Sequence, residues 1–268
     1  MIPKMIHYCW YGNKEKPVKF QKYMKTWRKM GGGGYEVIEW NETNCDLQCN
    51  NYIKKAVEYK NWAFVSDYFR LRALYEFGGI YLDTDVEVYK SFDDLLNKKG
   101  FVGYMHDALI GTAVLGFEKE NLFIKKLLDL YDNAEWIEGK YDLFRIKFEN
   151  GDSYLCSANN SVFTWAVFHF YNDFKLNGNY QETEDFSIFP KTEFEIGTFW
   201  GKRSHCVHRC ESSWKPKNGK KELYKVVKNM VKHIPIIHMD AIIRYFSYKK
   251  HMQRSVFYER YLHDTASI

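Results

Sequence analysis

In residues 62–88 a helical pattern runs into a double glycine, three strand-forming residues and a corner that carries two aspartates. Val65, Phe69, Leu71, Ala73, Leu74 and Phe77 recur at helical spacing, and Gly78-Gly79 ends the helix where a left-handed backbone meets no Cβ penalty. Ile80-Tyr81-Leu82 predicts a short buried strand whose end delivers Asp83-Thr84-Asp85 to the rim of a sheet. Asp83 and Asp85, two residues apart on a bending backbone, can point at one spot. Two hard carboxylates there suit Mn²⁺ or Mg²⁺, with coordination positions left for phosphate oxygens. A pair of aspartates alone is most often a solvated turn. Here Asp67 and Arg70 lie three residues apart on one face of the helix, and the glycine turn folds that face back toward the corner.

Ser66-Asp67, Arg70, Gly78-Gly79, Tyr81 and Asp83-Thr84-Asp85 together resemble the sugar-nucleotide site of the DXD-containing glycosyltransferases of family 32, a bacterial and fungal group, and more distantly the glucosylating domain of the large clostridial toxins. The resemblance implies an α/β chain of GT-A type, a Rossmann-like mixed sheet flanked by helices. It implies a nucleotide sugar held through the metal and transferred with retention of anomeric configuration. Asp85 and Asp83 would be metal ligands, with Arg70 the third catalytic group. Ser66, Asp67, Arg70, Tyr81, Asp83 and Thr84 would meet the donor, Asp67 and Arg70 orienting the sugar hydroxyls.

The rest of the chain fits that frame. Met5 to Trp10 is an apolar run suited to a first buried strand, and with Ile2-Pro3-Lys4 it resembles the opening of family 32 chains, which assigns Trp10 to the nucleotide base. Residues 17–30 predict an amphipathic helix ended by four glycines, which lack the Lys-Ser/Thr of a P-loop and are assigned no phosphate. Tyr35 to Trp40 alternates as a second strand, so strands and helices alternate up to Asp83, the pattern of an α/β sheet with ligands at the carboxyl ends of its strands. Further strands are expected at 86–89, 101–104, 108–117 and 186–190, with helices at 121–131 and 161–171. His169 in the last is read as a core histidine. The family commonly places an Asn near Gly111-Thr112, and this chain has none there.

Ser204 to Trp214 is the second informative stretch. It resembles the family's terminal segment, in which a His and a Ser-Trp pair close over the donor diphosphate; His208, Ser213 and Trp214 match by position, whereas Arg209 and Glu211 stand where relatives often have a second His and a further Ser. Cys206, His208 and Cys210 also alternate, and a zinc site there lacks an evident fourth ligand and the usual CxxC spacing. All six cysteines are therefore read as free thiols.

A 46% hydrophobic content supports a full core within 268 residues, and an 18% aromatic share leaves rings for sugar stacking. Neither a membrane span nor a signal peptide is legible, so a cytoplasmic location is expected. Residues 201–268 hold 15 Lys and Arg against 5 Asp and Glu, a balance of +10, which leaves −5 for residues 1–200. The expected division is therefore a GT-A catalytic domain over 1–219 and a basic amphipathic helical appendage over 220–268. In the appendage Leu223, Val226, Val227, Met230, Val231 and Ile234 form a stripe opposite Lys221, Lys225, Lys228 and Lys232. That pattern has two readings, an anionic membrane surface on the inner face of the plasma membrane or packing on the chain's own domain.

Three functions are weighed. The first is a metal-dependent retaining glycosyltransferase that moves a hexose from a nucleotide sugar, UDP-hexose before GDP-mannose, to a glycan or lipid-linked saccharide in surface polysaccharide synthesis. The second is a non-catalytic nucleotide-sugar or carbohydrate binder of the same fold, against which the paired aspartates argue. The third, a nucleic-acid binder prompted by the basic end, shows no RRM or KH signature, and no nucleic acid is expected as partner.

Overall fold

The computed structural model describes residues 1–30, 34–196, 204–210 and 247–266. Its order is β1 (Met5–Cys9), α1 (Val18–Met30), β2 (Glu36–Trp40), α2 (Asn51–Glu58), α3 (Trp62–Phe77), β3 (Gly79–Leu82), β4 (Val86–Val88), β5 (Gly100–His106), β6 (Leu109–Phe117), α4 (Leu122–Asp132), β7 (Glu135–Trp136), β8 (Phe144–Lys147), β9 (Ser153–Cys156), α5 (Asn159–Phe170), β10 (Gln181–Glu182), β11 (Ser187–Phe189), α6 (Lys191–Phe194), β12 (Cys206–His208) and α7 (Tyr258–Ala266). A seven-stranded mixed sheet runs β10-β11-β5-β6-β3-β1-β2. Within it β3, β1 and β2 are mutually parallel, whereas β6 runs antiparallel to both β3 and β5. The expected mixed α/β sheet flanked by helices is what the chain forms.

Alternation along the central strands sorts the core into two faces. Tyr81, Val102, Tyr104, Leu115 and Phe117 join the cluster packed against α2, α3, α4 and α5. Ile6, Tyr8, Ile80, Leu82, Phe101 and Val114 join Trp27 of α1 and Phe194 of α6 on the opposite face. The sheet is thus the middle of three layers.

The turn from α3 into β3 sets the register of the corner. Gly78 caps α3 with φ +68°, and its N–H donates to Leu74 O at 2.9 Å. Gly79 follows at φ +109°, where a Cβ would lie 2.8 Å from Met5 O and 2.9 Å from His7 Nε2. Trp40 Nε1 donates to His7 Nδ1 at 3.2 Å, which leaves Nε2 as the protonated nitrogen that donates to Gly78 O at 2.7 Å. Burial lowers the His7 pKa, opposed by the bond to Gly78. A neutral imidazole therefore pins β1 to the turn.

β4 leaves the main sheet and pairs antiparallel with β12, His208 opposite Val86. A small sheet of β7, β8 and β9 and the short helix α2, none anticipated from the sequence, cover the α3 side. Residues 247–266 pack on the same body: Phe257 is buried against Trp165 and Phe168, and the buried Asp264 carboxylate accepts from Leu176 N at 2.9 Å. The stripe from Leu223 to Ile234 lies outside the described residues. Among the described residues no helix is long and apolar enough to cross a membrane.

Candidate active site

The parallel strands β1, β2 and β3 end at one edge of the sheet, and the acidic corner stands there, beyond Leu82. Asp83 N donates to Ala113 O at 2.8 Å, and Val86 N donates back to Asp83 O at 2.9 Å, so the corner is a tight turn held by β6. Tyr81 and Asp83 share one face, and the Tyr81 hydroxyl donates to Asp83 Oδ1 at 2.9 Å.

Arg70 is the hub. It is 5% exposed and reaches five groups. Nη2 pairs with Asp67 Oδ1 at 2.9 Å and Nη1 lies 3.4 Å from Asp83 Oδ1. Nη1 also donates to Thr112 O at 2.8 Å and Nε to Ser66 O at 3.2 Å, while the guanidinium stacks 4.5 Å above the Tyr81 ring. Burial alone would lower its pKa; Tyr81, Asp83 and Asp67 more than reverse that and hold the charge in place. A fixed guanidinium between two carboxylates is a rigid frame for a polar ligand.

Asp67 takes its place from the opposite direction as well. The first backbone N–H of α5, from Asn159, favours its ionised form, so a helix N-terminus lies on this side of the carboxylate. Beside it Asn160 Nδ2 donates to Ile110 O at 2.9 Å, and Thr112 Oγ1 donates to Asn160 Oδ1 at 3.3 Å. Asn159 Oδ1 accepts from Tyr131 at 2.8 Å, but its Nδ2 is buried with no hydrogen-bond partner among the described residues. An Asn does therefore stand next to Thr112, supplied by α5. Neither asparagine was picked out in the sequence, because nothing local to Asn159-Asn160 signals that α5 starts at the acidic corner.

On the other flank, β12 brings His208 to Asp85. His208 Nε2 lies 3.3 Å from Asp85 Oδ1, and Arg209 N donates to Asp85 O at 2.9 Å. The strand is clasped at its start by His205, whose Nδ1 meets Glu193 Oε1 at 2.5 Å and whose Nε2 meets Asp94 Oδ1 at 2.8 Å. At its end the other nitrogen of His208, Nδ1, lies 3.0 Å from the buried Glu195. Burial would lower the His208 pKa, but Cys210, Glu195 and Asp85 raise it well above the usual value. Ligand atoms of Asp83, Asp85 and His208 all lie within 4.8 Å of one another. Two carboxylates and an imidazole are a fitting set for a divalent cation such as Mn²⁺ or Mg²⁺, and a bound ion would take the place of the proton on His208.

Of the other residues singled out, Ser66 Oγ donates to Trp62 O at 3.0 Å within its own helix. Its carbonyl, rather than its hydroxyl, supports Arg70. Trp10 follows β1, its indole N–H donating to Lys14 O at 2.6 Å and the Lys16 ammonium 5.7 Å from its ring. Thr84 is half-buried within the acidic turn. Arg209 is paired with Glu87 and bonded to Tyr89. Ser213 and Trp214 lie outside the described residues.

Residues 17–102 match the family described as "Glycosyltransferase sugar-binding region containing DXD motif". The sugar-binding region so defined contains α3, the glycine turn and the acidic corner, and it stops short of Asn159 and His208. Among curated proteins, the chain is 30% identical over 131 residues to "Inositol phosphoceramide mannosyltransferase 3" of Schizosaccharomyces pombe, across 47% of this chain and 36% of that protein. It is 28% identical over 145 residues to "Uncharacterized glycosyltransferase L373" of Acanthamoeba polyphaga mimivirus, across 47% of this chain and 57% of that one. The chain thus spans between about a third and somewhat over half of the length of these relatives. Among solved structures it is similar to "PaToxG Glycosyltransferase", with 22% identity, a TM-score of 0.47 and coverage of 64% of this chain and 70% of the other. It is also similar to a glycosyltransferase involved in glycosylation of the PBCV-1 major capsid, with 14% identity, a TM-score of 0.42 and coverage of 79% and 95%.

Proposed function

We propose that the protein is a metal-dependent glycosyltransferase of GT-A type that moves a hexose from a nucleotide sugar to a glycan or lipid-linked acceptor, with retention, in surface polysaccharide synthesis. The observation that carries this reading is the relay Asp67–Arg70–Asp83, which lies with Asp85 inside the segment that matches the DXD sugar-binding family and meets His208, from outside that segment, at one strand end. In this reading Asp67 and Arg70 orient the sugar hydroxyls. Tyr81 and Arg70 fix the Asp83 carboxylate, and Glu195 fixes the His208 ring. Asp83, Asp85 and His208 would hold Mn²⁺ or Mg²⁺, which supplies charge neutralisation on the diphosphate as the bond from sugar carbon to phosphate breaks. Arg70 cannot be replaced by a lysine in this frame, because three of its nitrogens are in use.

UDP-hexose is the favoured donor; the Schizosaccharomyces pombe relative, named as a mannosyltransferase, puts GDP-mannose beside it, and its name adds support for a lipid-linked acceptor. The test is nucleoside diphosphate release from a panel of UDP- and GDP-sugars with and without Mn²⁺. Release that requires Mn²⁺ and one class of donor is expected. A protein that binds nucleotide sugar yet releases no diphosphate from any donor would be the binder instead.

A further inference from the structure

His208 turns one ring nitrogen to the acidic corner and the other to a second cluster of metal-ligating atoms behind it. Its Nδ1 lies 3.0 Å from Glu195 Oε1 and 3.6 Å from Cys210 Sγ, and Cys210 Sγ lies 3.5 Å from Glu195 Oε1. Tetrahedral zinc, with bonds of about 2.0 Å to nitrogen or oxygen and 2.3 Å to sulfur, places pairs of its ligands roughly 3.3 to 3.5 Å apart. The triangle therefore already has nearly the dimensions of one face of a zinc site. Its members come from separate places in the chain, Glu195 just after α6 and His208 and Cys210 at the end of β12. Cys210 reaches it through a left-handed backbone, φ +50°, a conformation rare for residues other than glycine. Tyr248 donates to Glu195 Oε1 at 2.6 Å and orients the carboxylate, as outer partners of metal ligands do. Cys206, the third member of the pattern seen in the sequence, is not part of the triangle; its thiol donates to Phe194 O at 3.5 Å in the core.

We propose that Glu195, His208 Nδ1 and Cys210 form a zinc site distinct from the acidic corner, and that zinc bound there opposes metal loading at Asp83 and Asp85. A thiolate and an imidazole are a softer donor set than two aspartates, so this site selects Zn²⁺ where the corner selects Mn²⁺ or Mg²⁺. The antagonism follows from the ring. A neutral imidazole has one lone pair and one N–H. Zinc on Nδ1 leaves the proton on Nε2, which then donates to Asp85 and has no lone pair for a second cation. Zinc takes the thiolate of Cys210 and the lone pair of His208 Nδ1, so any protons held on those two atoms go to solvent. The antagonism rests on the function proposed above; the zinc site itself does not.

Cobalt(II), which takes zinc's geometry and reports sulfur ligation by a charge-transfer band in the near ultraviolet, is titrated into the metal-free full chain. The band is expected in the native protein and in Asp85→Asn, and lost in Cys210→Ser, an exposed position whose replacement leaves the core intact. Zinc affinity, measured by competition with a chromogenic chelator, should fall at least about 100-fold in Cys210→Ser, more than outer-partner changes usually cause. In parallel, Mn²⁺ binding followed by electron paramagnetic resonance should weaken on adding Zn²⁺ in the native protein and not in Cys210→Ser. No band, or a band that Cys210→Ser leaves in place, overturns the zinc site. A sulfur band with no Mn²⁺ binding at all keeps the zinc site and removes the antagonism together with the metal-dependent reading. Mn²⁺ binding that zinc leaves unchanged overturns the antagonism alone.

Discussion

Asp67 lies 2.9 Å from a guanidinium, yet burial outweighs Arg70 and lifts its carboxyl to about 6. The unfolded value is about 3.9, so the fold favours the protonated form. That contribution is full below about pH 4 and is lost as pH rises through about 6. In Asp67→Asn the denaturation midpoint should lose this part of its pH slope, measured as the difference from wild type across roughly pH 4 to 7; parallel profiles would mean that Asp67 titrates as it does in the open chain. Ionised Asp67 is the form that pairs with Arg70, so sugar handling should weaken on the acid side of the same window. Asp67→Ala and Arg70→Ala should cost more affinity for the intact donor than for the free nucleoside diphosphate, and calorimetry with both ligands separates the two; an equal loss would mark the pair as structural. Asp85 is held at the rim by contacts to its own backbone and by His208. Asp85→Ala should therefore leave melting intact and lower donor turnover at least about 100-fold at saturating Mn²⁺.

The element that places these groups is the turn between α3 and β3, and its chemistry was visible in two adjacent glycines. Gly79 sits at φ +109° with Met5 O and His7 Nε2 where a side chain would begin. Gly79→Ala should cost about 2 kcal/mol or more and lower the melting temperature by roughly 5 °C. Differential scanning fluorimetry reads that directly, and an unchanged melting temperature would show that the turn relaxes at no cost. The helix α3 was legible because a strongly apolar pattern, a glycine stop and an i, i+3 ion pair all pointed the same way. What closes the site from further along the chain was not legible to the same degree. Asn160 reaches Thr112 across 48 residues, and β12 pairs with β4 across more than a hundred; neither contact leaves a local pattern. His208 was found by position in a resembling segment, whereas its partner Glu195 follows a four-residue helix that periodicity does not reveal. Cys206, His208 and Cys210 alternate in sequence, but the left-handed backbone at Cys210 separates the last from the first.

At the scale of the whole molecule, the basic end of the chain has two sides. Residues 247–266 send Phe257, Tyr248 and Asp264 into the body, so Phe257→Ala should cost about 3 to 5 kcal/mol through the cavity left against Trp165 and Phe168. Urea denaturation measures it, and a loss below about 1 kcal/mol would mark these residues as a dispensable attachment. The outer side is different: Lys249, Lys250 and Arg254 are exposed, and Val256 stands 74% exposed among them. From this and the +10 balance of residues 201–268 we propose that the basic end docks on an anionic membrane at the inner face of the plasma membrane, where a lipid-linked acceptor would be presented. Each cation near such a surface contributes roughly 1 kcal/mol, so a few of them hold a protein there reversibly. Attraction of this kind is screened as ionic strength rises. Co-sedimentation with vesicles containing phosphatidylserine should therefore exceed that with neutral vesicles at low salt and fall at high salt. Replacing Lys249, Lys250 and Arg254 together with Gln should reduce it without moving the melting temperature, because none of the three is buried. Equal binding to neutral and anionic vesicles would leave the basic end as a structural cover for the α5 side of the core.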